Sequence, residues 1–377
     1  MIFVKRTFHP VGQGAFFTEQ FFDEKLETVL YNVVYDCGSL NLELKKQVKI
    51  DIENCFHDRK IDVLFLSHFD KDHINYVDHL KEKGYLHGTR IFIPMLSAEE
   101  WYEIKNYNYV LSLNEDTSEG RKVIKVKTDG ERGNDFLNDP VDIDDIRDDS
   151  IESGTPLMPK NALQGVIWYY TPFNVQSEAL ITEFKEKLEE EGIDTDLLED
   201  VDTVLELKDN LKEYYQGLGK RPSEGTKINL NSLLVMSYPK NSEACELVGF
   251  GQMYNHFVYY GCGIGGRYYN GSCLYTGDTS ANEDFVWNRI EQMIARCLGK
   301  DKVLILLQIP HHGSRHSYDQ KLLDSNKFLV GFTNYDPFYH KRIFDETLPM
   351  KFAVRDKPLI LVTTEYVSRF EEYWKVG

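Results

Sequence analysis

An α/β fold is predicted by two observations on the sequence. Short apolar runs that read as buried strands alternate with stretches of helical character, and three of those runs end in His or Asp. Ile61-Asp62-Val63-Leu64-Phe65-Leu66 leads into Ser67-His68-Phe69-Asp70-Lys71-Asp72-His73. Ser272-Cys273-Leu274-Tyr275-Thr276 leads into Gly277-Asp278, and Val303-Leu304-Ile305-Leu306-Leu307-Gln308-Ile309 leads into Pro310-His311-His312-Gly313-Ser314. Functional groups in α/β sheets collect at the carboxyl ends of strands, which is where these residues fall.

Taken in order, the chain begins with strands at Ile2-Phe3-Val4, Ala15-Phe16-Phe17 and 29–36, the first pair joined by a turn at Gly12-Gln13-Gly14. Two glycines that close suit a tight approach of backbone. Asp36 then ends a strand and is followed by Cys37-Gly38-Ser39, a placement from which a carboxylate can orient a neighbouring ligand. A helix is predicted over 41–60, crossing to the strand 61–66. A second helix over 77–83 and a strand over 89–94 follow; His79 and His87 in this region read as packing or surface residues. Acidic residues accumulate over 97–160, and a strand over 164–170 is expected to end at Thr171-Pro172. The Glu- and Lys-rich stretch 175–218 reads as two solvated helices broken near 192–196. Strands return at 228–236, within 248–260, at 272–276 and at 303–309, with a helix over 282–298. A last unit carries strand 328–332, then Asn334 and His340, and ends in strand 359–362.

The chain has 377 residues, 42% of them hydrophobic, enough for one large packed domain. Its net charge of −18 argues against general affinity for a nucleic-acid backbone, which needs Lys and Arg. A bound cation can still hold one phosphate locally. The six cysteines form no CxxC pair, so a reducing compartment without a disulfide framework is expected. Residues 1–14 hold no signal-like apolar stretch, and no window is long enough to span a membrane. A soluble cytoplasmic protein is the expectation.

The heptad Ser67 to His73 places four possible ligands, His68, Asp70, Asp72 and His73, within six residues. Imidazole and carboxylate together suit zinc, manganese or iron(II). With Asp278 and the His311-His312 pair they suggest a two-metal site, in which one carboxylate bridges two cations that clamp the attacking and leaving oxygens.

In sum these motifs resemble the metallo-β-lactamase fold: Ser67-His68-x-Asp70-x-Asp72-His73, Thr276-Gly277-Asp278 and Pro310-His311-His312-Gly313-Ser314. More narrowly they are similar to the metal-dependent domain of ComEC-type DNA-internalisation proteins, which has Asp where many relatives have a second His, matching Asp70. Val11-Gly12-Gln13-Gly14, Tyr35-Asp36-x-Gly38, Asn231-Ser232-Leu233 and Asn334 ahead of Tyr339-His340 add to the likeness. The resemblance implies an αββα sandwich as a single domain over 1–377; it does not cover the stretches at about 97–160 and 174–226, which read as insertions that could cap the cleft. It implies two divalent metal ions, Zn2+ or Mn2+, with His68 and Asp70 on one, Asp72 and His73 on the other, and Asp278 bridging. His312 is expected to complete the shell, with His311 beside the substrate, His340 as a further active-site histidine, and Asp36 and Ser67 supporting the ligands. Asn75-Tyr76 stands where the family commonly has Gly-Gly, Pro10 and Ala15 where it often has acids, and Lys341 follows His340 where Pro is common.

The implied activity is phosphodiester hydrolysis of nucleic acid or nucleotide by a metal-bridging hydroxide, with Asp72, His311 and His340 at the reacting centre. Arg315 and His316 are placed to hold a neighbouring phosphate. Hydrolysis of an ester, lactone or thioester is the alternative chemistry. A regulatory protein with structural metals, docking a basic partner through its acidic insertions, is the alternative of a different class.

Overall fold

The fold is taken from a computed structural model, which describes residues 1–25, 28–57, 59–95, 109–110, 112–113, 120–129, 137–159, 163, 165–175, 186–193, 232–241, 245–252, 270–339 and 343–377. The chain opens with β1 (Ile2–Phe8), β2 (Phe16–Phe22) and β3 (Val29–Cys37). Helix α1 (Lys45–Phe56) then crosses to β4 (Val63–Phe65), and two short helices, α2 (Lys71–Ile74) and α3 (Val77–Glu82), lead to β5 (Arg90–Pro94). Next come β6 (Lys122–Val126) and four two-residue strands: β7 (Thr128–Asp129), β8 (Val141–Asp142), β9 (Ser150–Ile151) and β10 (Leu157–Met158). Three longer strands follow, β11 (Trp168–Val175), β12 (Leu233–Pro239) and β13 (Cys245–Gln252). The last part runs β14 (Cys273–Tyr275), α4 (Asp284–Leu298), β15 (Leu304–Gln308), α5 (Gln320–Asp324), β16 (Phe328–Asn334), α6 (Leu348–Ala353), β17 (Leu359–Val362) and β18 (Phe370–Val376).

These strands form two mixed sheets. The first has the order β13-β18-β1-β2-β3-β4-β5-β6-β9, antiparallel from β13 to β3 and parallel from β3 onward. The second has the order β17-β16-β15-β14-β12-β11-β10-β8, with β7 beside β11. It is parallel from β17 to β14, and β8 with β10 and β7 with β11 are further parallel pairs. Every strand that delivers a candidate ligand, β4, β14 and β15, belongs to a parallel part. A parallel strand must be reached by a crossover, and here helices supply it.

Three apolar clusters follow from this arrangement. One fills the space between the sheets, with Phe17, Tyr35, Phe65, Trp168, Tyr275 and Phe332 among its members. The second lies between the first sheet and α1 and α3, where Val48, Ile52 and Phe56 repeat every fourth residue and so share one helix face. The third lies between the second sheet and α4, α5 and α6. In α4, Val286, Trp287, Ile290, Met293 and Ile294 form the buried face, each worth about 1.5–3 kcal/mol on full burial. Gly299 stops that helix at φ +99°. Strands covered on both faces read as continuous apolar runs, which explains Leu233–Pro239 and Leu304–Gln308.

A charged island sits between the sheets. Arg6, fully buried, donates from Nε to Glu19 (2.8 Å), pairs with Glu372, and donates to the Gly271 carbonyl (3.0 Å). Glu19 also accepts from the hydroxyls of Tyr170 (2.7 Å), Ser237 (2.8 Å) and Tyr275 (2.8 Å). Burial opposes the Arg6 charge, but Glu19 and Glu372 outweigh it and hold the guanidinium well above its usual range. Arg6 and Glu19 are direct cross-strand partners, so strand register itself makes the pair.

Several expectations change in detail. The predicted helix over 41–60 is shorter, because Asn41 caps the turn before it, its Oδ1 accepting from the backbone of Glu43 (2.9 Å) and Leu44 (3.2 Å). The strand expected to end at Thr171-Pro172 instead runs on to Val175. Proline is tolerated there because neither short neighbour, β10 at Tyr170 nor β7 at Asn174, pairs with Pro172. The stretch expected as a covering insertion over 97–160 supplies β6 to β10, which extend both sheets. Most of the stretch 174–226, along with Asn231, Cys262 and His340, lies outside the described residues. Among the described residues no helix is long and apolar enough to cross a membrane, and Cys37, Cys55, Cys245, Cys273 and Cys297 are free thiols.

Candidate metal centre

The carboxyl ends of β3, β4, β14 and β15 meet where the two sheets approach each other. The backbone joins them directly: Leu233 N donates to the Ser67 carbonyl (2.7 Å) and Tyr35 Oη to the Leu233 carbonyl (2.7 Å). Glycine makes the approach possible at two places. A Cβ at Gly38 would lie 2.2 Å from the Asp72 carbonyl, and one at Gly277 would lie 2.7 Å from the Ser67 Cβ. The Gly12-Gln13-Gly14 turn packs against the same ligand segment, with Ala15 N donating to the Asp72 carbonyl (3.1 Å).

Asp278 is the centre of the site, and its two carboxylate oxygens face different histidines. His68 Nε2 and His311 Nε2 each lie 3.8 Å from Oδ2. His73 Nε2 lies 3.3 Å and His312 Nε2 3.7 Å from Oδ1. Asp72 Oδ2 sits on the Oδ1 side, 3.2 Å from His312 Nε2, whereas Asp70 Oδ2 sits on the other side, 3.8 Å from His68 Nε2. Asp72, His73, Asp278 and His312 form a buried group whose ligand atoms all lie within 4.8 Å of one another. The other half is more open: the side chains of Asp70 and His311 are 45% and 23% exposed.

Each imidazole is held from behind through Nδ1. Asp36, fully buried, accepts from His73 Nδ1 (2.7 Å), from Ser67 N (2.7 Å) and from Ser67 Oγ (2.7 Å). His68 Nδ1 meets Ser67 Oγ at 2.9 Å, His311 Nδ1 meets Ser317 Oγ at 3.0 Å, and His312 Nδ1 donates to the Asn334 carbonyl at 3.2 Å. Anchoring one ring nitrogen leaves the other aimed forward, the arrangement that orients histidine ligands. Asp36, His311 and His312 all adopt the left-handed region, at φ +56°, +50° and +55°. Such conformations cost on the order of 1–3 kcal/mol each and persist where the surroundings over-determine them. Here His311 N donates to the Gly277 carbonyl (3.2 Å) and Asp345 N to the Gly313 carbonyl (3.0 Å), which fixes the turn.

The electrostatics match a site that lacks positive charge. Burial opposes protonation of His73 and His312, yet Asp278 with Asp36 on the first, and Asp278 with Asp72 on the second, raise both imidazoles above their usual range. Burial, reinforced by the neighbouring His73, lowers His68 to about 4. Asp70 is pushed up to about 6, first by burial and then by the negative fields of Asp72 and Asp278. His68 Nε2 and His73 Nε2 are buried without a hydrogen bond among the described residues. A divalent cation fits this donor set: it takes the lone pairs that carboxylates alone cannot satisfy, and it displaces the protons the histidines otherwise hold.

The structure therefore brings together His68, Asp70, Asp72, His73, Asp278, His311 and His312, with Asp36 and Ser67 behind them. Both histidines of the pair face Asp278, so His311 stands among the candidate ligands and not only beside a substrate position. Arg315 is exposed, with Nε donating to His316 Nε2 (3.3 Å) at the outer side of this turn. His79 lies apart, paired with Glu53 at 3.2 Å. Two supporting groups escape sequence reading. Ser317 lies beyond the His pair, and Gln308 holds the Asp278 turn by accepting from Thr276 N (2.8 Å) and Gly277 N (3.2 Å). The signal for Gln308 was present, a polar residue closing an apolar strand. No protein-family model matches the chain, and no curated protein matches it in sequence.

Proposed function

We propose that the protein is a dinuclear metal-dependent hydrolase of the metallo-β-lactamase type that cleaves phosphodiesters of nucleotides or nucleic acid. The observation that carries this reading is the division of Asp278: each of its oxygens is faced by two imidazole Nε2 atoms at 3.3–3.8 Å, which suits one carboxylate shared between two cations. The succession of helices, sheet, sheet and helices, with the site at the junction of the sheets, supports the fold assignment. His68, Asp70 and His311 would hold one cation with Asp278, and Asp72, His73 and His312 the other. Such ions supply Lewis acidity toward a phosphoryl oxygen and make water acidic enough to act near neutral pH.

The chain's own residues do the rest. Asp36, Ser67 and the Asn334 carbonyl fix the imidazole planes, so no side-chain reorganisation is needed during reaction. The partly exposed side chains of Asp70 and His311 mark the open side, from which a phosphodiester reaches the centre. Exposed Arg315, four residues after His311, would pair with an adjacent phosphate oxygen.

The test is metal analysis of the purified protein, followed by a substrate panel with Zn2+ or Mn2+ restored. Bis-p-nitrophenyl phosphate should be cleaved, simple esters and lactones much less. Asp72→Ala and His312→Ala should each reduce turnover at least 100-fold, as expected from losing a charge-stabilising group. Full phosphodiesterase activity in either variant, freed of contaminating nuclease, would refute the assignment.

A further inference from the structure

Leu42 and Phe338 are the most exposed large apolar side chains among the described residues, at 84% and 83%. They lie far apart in sequence, but their loops are tied to each other and to the buried half of the metal centre. Asn41 Nδ2 donates to Asp336 Oδ2 at 2.7 Å, and Asp336 Oδ1 accepts from Phe338 N at 2.9 Å. On one side, Asn75 clamps the Leu42 loop to the ligand helix α2: its Nδ2 donates to the Ser39 carbonyl (2.6 Å), and its Oδ1 accepts from Ser39 N (3.0 Å). On the other side, Asn334, whose carbonyl holds His312, leads straight into the Phe338 loop. The negative field of Asp72 reaches Tyr339 and, after burial, helps to raise its phenol. The loops that carry both apolar residues are thus tied to the segments that hold Asp72 and His312.

A loop that holds a phenylalanine almost wholly in water forgoes the gain of burying it, about 1.5–3 kcal/mol. The loss is recovered when a partner covers it. Exposed Lys45 and Lys46 open the helix that follows Leu42 and outnumber the exposed Glu43 between them and Leu42, a local excess of positive charge in a chain of net charge −18. An apolar lip, adjacent cations and a phosphodiester-cleaving centre together fit a planar group carrying phosphates. The overall negative charge disfavours a long polyanion and favours a short one.

We propose that Leu42 and Phe338 form a lip that seats a nucleobase beside the scissile phosphodiester of a dinucleotide or short oligonucleotide. The inference rests on the phosphodiesterase reading. Aromatic rings stack on every base, so the lip selects for the presence of a base and little for its identity. Asn75 and Asp336 act as positioning residues that keep the lip at its distance from the metals.

The experiment compares dTpdT with an abasic dinucleotide of the same backbone, in wild type, Leu42→Ser, Phe338→Ser and Phe338→Trp. In parallel, a 2-aminopurine dinucleotide with a phosphorothioate linkage reports stacking by fluorescence quenching, without turnover. Phe338→Ser should raise KM for dTpdT about tenfold, with a much smaller change for the abasic compound, and should abolish the quenching. Phe338→Trp should restore both. Equal changes on the two substrates, or unchanged quenching, would overturn the lip. So would conversion of a dimer to a monomer by Phe338→Ser with base binding intact, since the patch would then be a subunit interface. If wild type cleaves no phosphodiester, the activity reading fails, and the quenching still decides whether a base sits on Phe338.

Discussion

Replacing Asp36 with Asn separates metal binding from folding. The backbone at Asp36 is left-handed, φ +56°, a region Asn tolerates nearly as well as Asp, so the exchange adds little strain. The side chain accepts three hydrogen bonds at 2.7 Å, one on Oδ1 from Ser67 N and two on Oδ2 from Ser67 Oγ and His73 Nδ1. An amide keeps the first bond through its oxygen. Its nitrogen then faces His73 Nδ1 as a donor, which drives the imidazole proton to Nε2, the atom aimed at Asp278. The two bonds on Oδ2 lose their charged acceptor, about 3 kcal/mol of stability. The lone pair needed by a metal is also blocked, which should weaken the buried metal position about 10- to 100-fold. Asp36→Ala loses all three bonds and acquires an unfavourable φ, so it should cost more than 4 kcal/mol, roughly the sum of those losses. Urea unfolding of metal-free protein gives the stability, and zinc competition against a chromophoric chelator gives the affinity. If Asp36→Asn binds two equivalents as tightly as wild type while stability falls, Asp36 supports only the fold and the reasoning is wrong.

The two halves of the centre should also differ. Asp70→Asn, on the open side, is expected to leave one tightly held equivalent by elemental analysis after dialysis, whereas Asp72→Asn removes the tight one. Glu19→Gln leaves Arg6 under-compensated between the sheets and should lower the unfolding free energy by about 3–5 kcal/mol, read by urea titration. His9, fully buried, is held well below its usual range by burial, reinforced by Arg369 and Lys5. It is neutral in the fold and protonates in the unfolded chain near pH 6.5, so it contributes stability above that pH and loses it as the pH falls. The wild-type stability should therefore drop between pH 6.5 and 5 by up to about 1.4 kcal/mol per unit more than that of His9→Gln.

The candidate ligand set was legible because strand ends are marked locally: an apolar run stops, and the residues just beyond it face the carboxyl edge of the sheet. Asp36, His68 to His73, Asp278 and the His pair all obey that rule. The approach of His311 to Asp278 was not legible. Two consecutive left-handed residues carry the rings that face Asp278, beside a Gly313 packed tightly against Phe344 and Leu348, and neither feature is marked in the sequence. The interior Arg6–Glu19 pair was hidden for a different reason. In Lys5-Arg6-Thr7 and Thr18-Glu19-Gln20 the charges look like a solvent face, and the second sheet, hundreds of residues away, covers Arg6 and Glu19. The two-residue strands β7 to β10 carry no periodicity to detect. Neither does the lip, whose members are single exposed residues until Asn41 and Asp336 bring their loops together.

The pairing of β1 with β18, Ile2 opposite Val376 and Phe8 opposite Phe370, has a consequence for how the molecule is made. β18 lies between β13 and β1, so the antiparallel part of the first sheet closes only after residue 370 has emerged. At about 5–20 residues per second, β1 then waits tens of seconds or more for its neighbour. Over that interval its edge offers unpaired amides and carbonyls to any other nascent chain. Lys5 and Arg6 on the waiting strand are charges of the kind that discourage such pairing, and Arg6 gains its second carboxylate partner only when Glu372 arrives. A ribosome-bound chain stalled before residue 370 should therefore resist aggregation less well when Lys5 and Arg6 are made neutral, a vulnerability that the finished protein no longer has.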